Sequence, residues 1–364
     1  MGRGGAGFEA LGDLEAAAEG AVPPEVWSYI QGGAGEERTL ADNLAAFRRR
    51  SIRPRALVDV TQLDLGTHLL GHALSAPCYV APTAYQGLIH PEGEVATARA
   101  ASAAGVLTVL STLSSCSLES VADAAPKGPL WFQLYLQPDL EVTLRLLDRA
   151  ETAGFSAIVL TVDVPVLGIR DRQVRSGFAL DESIPLGNGP AVVPPPRGPT
   201  ALSGGRYGLR SDAGAVWDTL DWLRAHTNLP IVVKGILGAQ DARRSLDHGA
   251  RAVVVSNHGG RQLDGAPAAL DVLPEVVAEV NGDAEVYLDG GVRRGADVAI
   301  ALAMGAKAVG LGRPILWALA AGGEAGVARY LALLQVELAN VMALVGRRSI
   351  PEIDRFLLGP EPNP

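Results

Sequence analysis

The chain has 364 residues, 48% of them hydrophobic and 20% charged, with a formal net charge of −9. This is ample apolar material for a large core, and the acidic balance excludes nucleic acid as an expected partner, since the densest basic run, Arg48-Arg49-Arg50, reads as a solvated helix end. The two cysteines, Cys78 and Cys116, offer neither a disulfide framework nor a metal-ligand spacing, so no metal is expected and a reducing cytoplasm is the expected compartment.

Met1-Gly2-Arg3-Gly4-Gly5 lacks the apolar stretch of a signal peptide. No uninterrupted apolar run reaches the roughly 18–20 residues of a membrane span, and no membrane partner is expected. Residues 24–31 and 40–47 then read as helices, the first ended by Gly32-Gly33; they either close the bottom of the following domain or cover part of its mouth. From there a strand, turn and helix pattern repeats. Apolar runs at 77–81, 106–110, 130–134, 157–160, 231–233, 252–255, 286–288 and 308–311 read as strands. Amphipathic stretches at 92–104, 140–153, 216–226, 239–248, 269–280 and 295–304 read as the helices between them. The runs do not alternate in polarity, which implies burial on both faces, as in a parallel sheet. Such units in series predict an α/β fold of the (β/α)₈ TIM-barrel type. The competing doubly wound sheet would want a glycine-rich phosphate turn after its first strand, and Ala81-Pro82-Thr83-Ala84 is not one.

Residues 181–211, after the fourth predicted strand, are rich in Pro and Gly and include Pro194-Pro195-Pro196. A connection this long is expected to be a mobile lid. Residues 323–344 read as a long helix on the outside of the barrel, followed by a polar tail. A single domain is expected, with N-terminal helices in 1–54, the barrel in 55–320 and the C-terminal helix and tail in 321–364.

The polar residues that carry chemistry gather at the carboxyl ends of the predicted strands, the face on which barrel enzymes build active sites. Ser111 ends the second strand, Gln133 and Tyr135 the third, Thr161 and Asp163 the fourth, and Lys234 the fifth. Ser256 and His258 follow the sixth, Asp289-Gly290-Gly291 the seventh, and Gly312-Arg313 the eighth. The glycines after the last two strands, with Arg293 or Arg313, suit a phosphate dianion. The most informative stretch is Ser256-Asn257-His258-Gly259-Gly260-Arg261-Gln262-Leu263-Asp264. Its histidine can take a proton, its arginine can grip a carboxylate with a planar fork of donors, and its glycines allow a sharp turn and close ligand approach. A phosphate cradle beside a proton acceptor and a carboxylate grip suggests a phosphorylated cofactor next to a small acid substrate.

With these residues the chain resembles the FMN-dependent 2-hydroxy acid oxidase and dehydrogenase family, whose members include glycolate oxidase, lactate oxidase and mandelate dehydrogenase. The resemblance runs from about Tyr29 to Glu352. It rests on Pro82-Thr83-Ala84, His90-Pro91-Glu92-Gly93-Glu94, Phe132-Gln133-Leu134-Tyr135, Leu160-Thr161-Val162-Asp163, Val233-Lys234-Gly235, the Ser256 to Asp264 stretch and Leu288-Asp289-Gly290-Gly291-Val292-Arg293, in order and spacing. It implies FMN as cofactor, a 2-hydroxy acid as substrate and His258 as the base, with Asp163 stabilising its protonated form. It further implies that Arg170 and Arg261 clamp the substrate carboxylate, that Tyr29 adds a hydrogen bond, and that Tyr135 contacts the substrate hydroxyl or carboxylate. Lys234 would stabilise negative charge on reduced flavin. Ala81, Pro82, Thr83, Ser111, Gln133, Thr161 and Ser256 would surround the flavin ring, and Asp289, Gly290, Gly291, Arg293, Gly312 and Arg313 the ribityl chain and phosphate.

Three departures bear on specificity. Leu113 stands where plant glycolate oxidases carry a tryptophan, Val166 and Ile169 stand where those enzymes carry arginines, and Ala84 is small. A pocket lined by Leu113, Ala84 and Tyr85 is expected to admit medium aliphatic or aromatic side chains. The long loop carries no long apolar run and no haem domain is present, so O2 is the expected electron acceptor. A soluble dehydrogenase with another acceptor, a decarboxylating monooxygenase and a related flavin oxidation in a biosynthetic pathway are the alternatives. The resemblance also implies a homotetramer.

Overall fold

The apolar runs become the staves of a closed barrel. In the computed structural model, which describes residues 7–180, 183–189 and 213–360, ten strands are present. A short hairpin, β1 (Thr67–Leu69) and β2 (His72–Leu74), precedes β3 (Cys78–Val80), β4 (Leu107–Ser111), β5 (Leu130–Leu134), β6 (Ile158–Thr161), β7 (Ile231–Ile236), β8 (Ala252–Val255), β9 (Glu285–Asp289) and β10 (Ala308–Leu311). The last eight are parallel, each paired with the next, and β10 pairs back onto β3 to close the ring. The helices are α1 (Leu14–Glu19), α2 (Pro24–Gln31), α3 (Arg38–Arg48), α4 (Gly93–Ala103), α5 (Leu118–Ala124), α6 (Leu140–Thr152), α7 (Asp171–Arg175), α8 (Trp217–Ala225), α9 (Ala239–Asp247), α10 (Ala269–Val280), α11 (Gly295–Ala303) and α12 (Arg313–Leu344).

The lack of polarity alternation in the strands now has its reason. Leu107, Val109, Trp131, Val159, Val232, Val254 and Tyr287 form one buried cluster inside the barrel. Their neighbours Leu110, Phe132, Leu160, Val233, Val253 and Leu288 belong to the cluster shared with the surrounding helices. Tyr287 sits between Tyr79 and Trp131, with ring centroids 5.9 and 5.8 Å away, so aromatic rings fill the barrel's interior. Leu69 and Leu74 of the β1–β2 hairpin join that interior cluster and plug the amino end. Cys78 is a core residue, its thiol pushed up to about 12 by burial.

The hairpin settles where the N-terminal helices go. They do not close the bottom, which is occupied. The Asn43 and Asn257 side-chain amides exchange hydrogen bonds of 2.9 and 2.8 Å, fastening α3 to the loop after β8 at the carboxyl end. Thus α2 and α3 cover part of the mouth. Arg49 and Arg50 are not merely solvated, since both pair with Asp271.

The long last helix begins ten residues before its predicted start, at Arg313. Contrary to the expectation of no membrane-length apolar segment, α12 is long and apolar enough to cross a membrane by length and composition. It is broken by non-helical backbone at Gly322 and Gly323, and it buries Ile315, Trp317, Leu319, Val327, Leu331, Leu334 and Met342 in the core. Most of the expected lid, 181–182 and 190–211, lies outside the described residues.

Candidate active site

A cleft of about 1350 Å³, measured with its open mouth, lies at the carboxyl end of the barrel. Its walls contain most of the residues singled out in the sequence. Ala81, Pro82, Thr83 and Ala84 follow β3; Ser111 and Leu113 come from the end of β4, Tyr135 from beyond β5, and Arg170 from just before α7. Lys234 is on β7, His258 and Arg261 follow β8, Asp289, Gly290, Gly291 and Arg293 come from the end of β9, and Gly312 and Arg313 join β10 to α12. Tyr29 enters from α2. Gln133, Thr161, Asp163 and Ser256 stand one step behind these walls. Ser111 Oγ donates to Gln133 Oε1 at 3.2 Å, and Gln133 Nε2 donates to Thr161 Oγ1 at 3.1 Å, a chain of buried side chains linking β4, β5 and β6.

His258 has a left-handed backbone, φ +59°, which is strained for a residue with a side chain. Its amide donates to Ser256 Oγ at 3.0 Å, and its Nδ1 lies 3.0 Å from Asp163 Oδ1. That contact turns Nε2 away from the carboxylate. Burial lowers the imidazole pKa, Asp163 opposes this, and Lys234 and Arg170 add to the lowering; the net direction is down. The ring is therefore neutral at pH 7. Burial alone would raise Asp163, but His258 and Lys234 bring it below the ordinary aspartate range, so it is ionised. A neutral imidazole held by an ionised carboxylate is able to accept a proton. Asp163 in turn packs against Gly235, where β7 bulges: φ is +109° and a Cβ would lie 2.6 Å from the Asp163 Cβ, so only glycine fits.

Lys234 is buried and fully engaged. Its Nζ donates to Ser256 Oγ at 3.0 Å and pairs with Asp289 Oδ2 at 3.3 Å. Burial would lower its pKa, yet Asp289 and Asp163 outweigh burial and the net shift is upward, leaving it charged.

The arginines behave differently. Arg261 donates to the backbone carbonyls of Tyr29 and Gly32 at 2.8 and 2.7 Å, with its guanidinium 5.1 Å from the Tyr29 ring centroid. Arg313 donates to the carbonyls of Ile30, Gly259 and Gly32 at 2.9–3.0 Å. Arg293 donates to the Val292 carbonyl and lies over the Trp317 ring, and Arg170 donates to the Arg261 carbonyl at 3.3 Å. Among the described residues none of these guanidiniums pairs with a carboxylate. Burial and neighbouring Arg261 push Arg170 down to about 9; burial, Arg261, Arg293 and Arg170 push Arg313 down strongly. Guanidinium remains protonated at neutral pH all the same, so these shifts register an uncompensated positive field. Arg313 also opens α12, whose N-terminus adds partial positive charge. The cleft is built for anions.

One wall is apolar. Leu113, Tyr135 and Val164 are buried together, with Ala84, Tyr85 and Leu167 packed on them. Phe178 and Leu180 extend this lining, and Phe178 stacks on Tyr29 at 4.8 Å. Val166 and Ile169, by contrast, are exposed and do not line the cleft. Sequence reasoning assigned no role to Asn43, Asn257, Gln262 or Asp264. The first two form the amide pair described above. Gln262 Nε2 donates to the carbonyls of Asp163 and Val166 at 2.9 Å. Asp264 accepts from the amides of Glu36 and Thr39 at 2.9 and 3.0 Å. Three of the four lie inside the stretch around His258, so their signal was proximity to that residue.

A family model described as FMN-dependent dehydrogenase matches residues 18–360. The chain is 48% identical to an L-lactate oxidase of Nostoc sp. over 91% of its own length and 93% of that protein. It is 45% identical to 2-hydroxyacid oxidase 2 of Homo sapiens, covering 96% and 97% of the two chains. With 4-hydroxymandelate oxidase of Amycolatopsis orientalis identity is 47%, over 94% and 96%. Among solved structures, a mandelate oxidase crystal structure superposes with a TM-score of 0.88 at 45% identity, covering 97% of this chain and 98% of that one.

Proposed function

The chain belongs to the FMN-dependent dehydrogenase family, and from that membership we propose that it is an FMN-dependent 2-hydroxy acid oxidase, converting an L-2-hydroxy acid to the 2-oxo acid with O2 as the final acceptor and H2O2 as the second product. The observation that carries this reading is the neutral His258, held by ionised Asp163 at 3.0 Å, in one cleft with Arg170 and Arg261.

The residues suit the cofactor. The uncompensated Arg293 and Arg313, beside Gly290, Gly291 and the N-terminus of α12, match a phosphate dianion. Lys234 and Ser111, with the backbone of Ala81, Pro82 and Thr83, supply donors and acceptors for a flat heterocycle, and Gln133, Thr161, Ser256 and Asp289 brace them from behind. Bound FMN supplies the acceptor for the two electrons that leave the substrate and delivers them to O2.

This chain's own residues do the rest. Arg170 and Arg261 bind the substrate carboxylate as a bidentate clamp and relieve their mutual repulsion in doing so. Neutralising that carboxylate lowers the cost of removing hydrogen from the adjacent carbon. Tyr29 and Tyr135, both lining the cleft, orient the acid. His258 takes the proton, and Asp163 stabilises the imidazolium that results. Lys234, kept charged by Asp289, presents a fixed positive charge where negative charge accumulates on the cofactor. The apolar wall of Leu113, Ala84, Tyr85, Val164 and Leu167 receives the substrate's side chain, which favours medium aliphatic and aromatic acids over glycolate. The enzyme is proposed to work as a homotetramer in a reducing cytoplasm; both cysteines are unpaired.

The test is anaerobic mixing of purified holoenzyme with glycolate, lactate, 2-hydroxyoctanoate and mandelate. Loss of flavin absorbance is expected, followed, once air is admitted, by its return with peroxide stoichiometric with the O2 consumed. Absence of bleaching with every acid refutes the reaction, and bleaching without O2 uptake refutes the oxidase assignment.

A further inference from the structure

The apolar wall depends on a loop with no regular structure of its own. Residues 112–117 follow β4 and carry Leu113 into the cleft. Two buried polar side chains outside the cleft hold this loop. Asn188 is 5% exposed. Its Nδ2 donates to Ser114 Oγ at 2.8 Å and to the carbonyls of Ser111 and Thr112 at 3.3 Å, while its Oδ1 accepts from the Leu118 amide at 3.0 Å. Both ends of the loop are thus tied to one amide group. The preceding Gly187 donates to the Ser114 carbonyl at 3.0 Å and lies so close that a Cβ there would stand 2.0 Å from Cys116 C.

Glu94, on α4, is 2% exposed and approaches the loop from another side. Its Oε1 accepts from the amides of Ser115 and Gln86 at 3.0 Å, and its Oε2 from the Cys116 amide at 3.1 Å. No cation pairs with it among the described residues. The Gln86 contact matters for a second wall residue. Tyr85 has a left-handed backbone, φ +58°, and its amide donates to the Leu113 carbonyl at 3.1 Å. Strain of this kind persists only where the surroundings over-determine it. Here Glu94 holds the residue after Tyr85 and the residues after Leu113 with one carboxylate. Gln86 further ties Thr83, accepting from Thr97 at 2.6 Å and donating to Thr83 Oγ1 at 3.0 Å.

We propose that Asn188 and Glu94 are positioning residues for substrate selectivity, fixing Leu113 and Tyr85 as the wall that meets the side chain of the 2-hydroxy acid. This rests on the cleft being the site of a 2-hydroxy acid. Neither group lines the cleft or touches the base or the carboxylate clamp. Asn188 reaches Ser111 only at its backbone carbonyl and Glu94 reaches Thr83 only through Gln86, so loosening either one acts chiefly on the apolar wall.

The experiment uses the flavin-loaded full chain with Asn188→Ala and Glu94→Gln, the latter removing only the contact to Cys116. The wild type's turnover of any 2-hydroxy acid tests the underlying reading separately. In the variants, kcat and KM are measured for lactate and for mandelate, together with dissociation constants of the matching 2-oxo acids from flavin spectral changes. Expected is a change of about tenfold in the mandelate-to-lactate ratio of KM and of 2-oxo acid dissociation constants, the low end of what a methylene-scale difference in an apolar pocket is worth, with kcat for lactate within about twofold. In a Leu113→Ala background the same substitutions are expected to change that ratio no further, because their effect passes through Leu113. Equal losses for both acids, an unchanged ratio in both variants, or full additivity with Leu113→Ala would overturn the proposal. Should Asn188→Ala not yield folded protein, Glu94→Gln carries the same test, since it keeps size and all but one hydrogen bond.

Discussion

Replacing Asp163 by asparagine isolates the charge behind the base. Asp163 Oδ1 lies 3.0 Å from His258 Nδ1, and its other oxygen is buried without a hydrogen-bond partner. Asparagine keeps the size of the side chain, removes the charge and replaces one acceptor oxygen by an amide donor. When His258 gains a proton, the full charge pair at this distance gains at most about 5.5 kcal/mol with an effective dielectric near 20. That ceiling corresponds to roughly four decades in rate, and general-base catalysis is commonly worth about 10²–10⁴-fold. A fall of two to four decades in the anaerobic rate of flavin reduction is therefore expected, with flavin still bound. The pH dependence has a definite sign as well. Asp163 raises the His258 pKa, which burial, Lys234 and Arg170 lower. In the wild type the acid limb of kcat/KM is expected below the ordinary histidine value of about 6.5, with activity lost as the pH falls through it. Asp163→Asn removes the raising influence, so the limb should move to lower pH while the plateau drops. A variant that reduces its flavin within fivefold of the wild-type rate, or whose acid limb moves upward, would refute the ion-pair argument.

Three other substitutions probe the remaining parts of the cleft. Lys234→Met leaves Asp289 buried beside Ser256 with no cation, which should cost about 3–5 kcal/mol of unfolding free energy by urea denaturation of the flavin-free protein; a cost under about 1 kcal/mol would mean that the contact between Lys234 and Asp289 does not stabilise the fold. Arg261→Lys cannot keep both backbone contacts and still offer a planar fork, so KM should rise about ten- to hundredfold, the worth of a charged hydrogen bond; an unchanged KM would remove Arg261 from the carboxylate clamp. Leu113→Trp should overfill the apolar wall by about 1–3 kcal/mol, and steady-state kinetics should show selectivity moving about tenfold or more toward glycolate. Equal KM changes for glycolate and mandelate would place the side chain elsewhere.

The barrel strands were legible because their residues are buried on both faces, Leu107 and Val109 inward and Leu110 outward, and uninterrupted apolar runs have few other structural uses. The β1–β2 hairpin was not, because each strand is three residues long and only Leu69 and Leu74 carry its apolar signal. The helix α5 and the short α7 were missed for the same shortness. Residues placed at strand ends converged because barrel geometry alone brings them to one face. What sequence could not reveal is the bracing across long separations. Asn43 meets Asn257 across 214 positions and Asn188 meets Ser111 across 77. No local pattern marks an amide whose partner is that distant, and Asn188 sits in the segment whose composition was read as a mobile lid.

The uneven distribution of counter-charge in the cleft leads to one more consequence. Lys234 has Asp289 and His258 has Asp163, whereas among the described residues Arg170, Arg261, Arg293 and Arg313 pair with no carboxylate, only with backbone carbonyls and aromatic rings. Arg170 is one of the groups that lower the His258 pKa. A substrate carboxylate seated on Arg170 cancels that influence at close range. Binding should therefore raise the affinity of His258 for a proton, making it a stronger base in the complex than in the free enzyme, and by linkage a protonated His258 should leave the clamp more attractive to the anion than a neutral one does. The acid limb of the flavin-reduction rate at saturating substrate is then expected at higher pH than the acid limb of kcat/KM, because the first reports the complex and the second the free enzyme. Rapid-mixing reduction rates across the pH range, compared with steady-state kcat/KM on the same preparation, measure both limbs. Coincident limbs, or a saturating limb displaced to lower pH, would show that the arginine field does not reach the base.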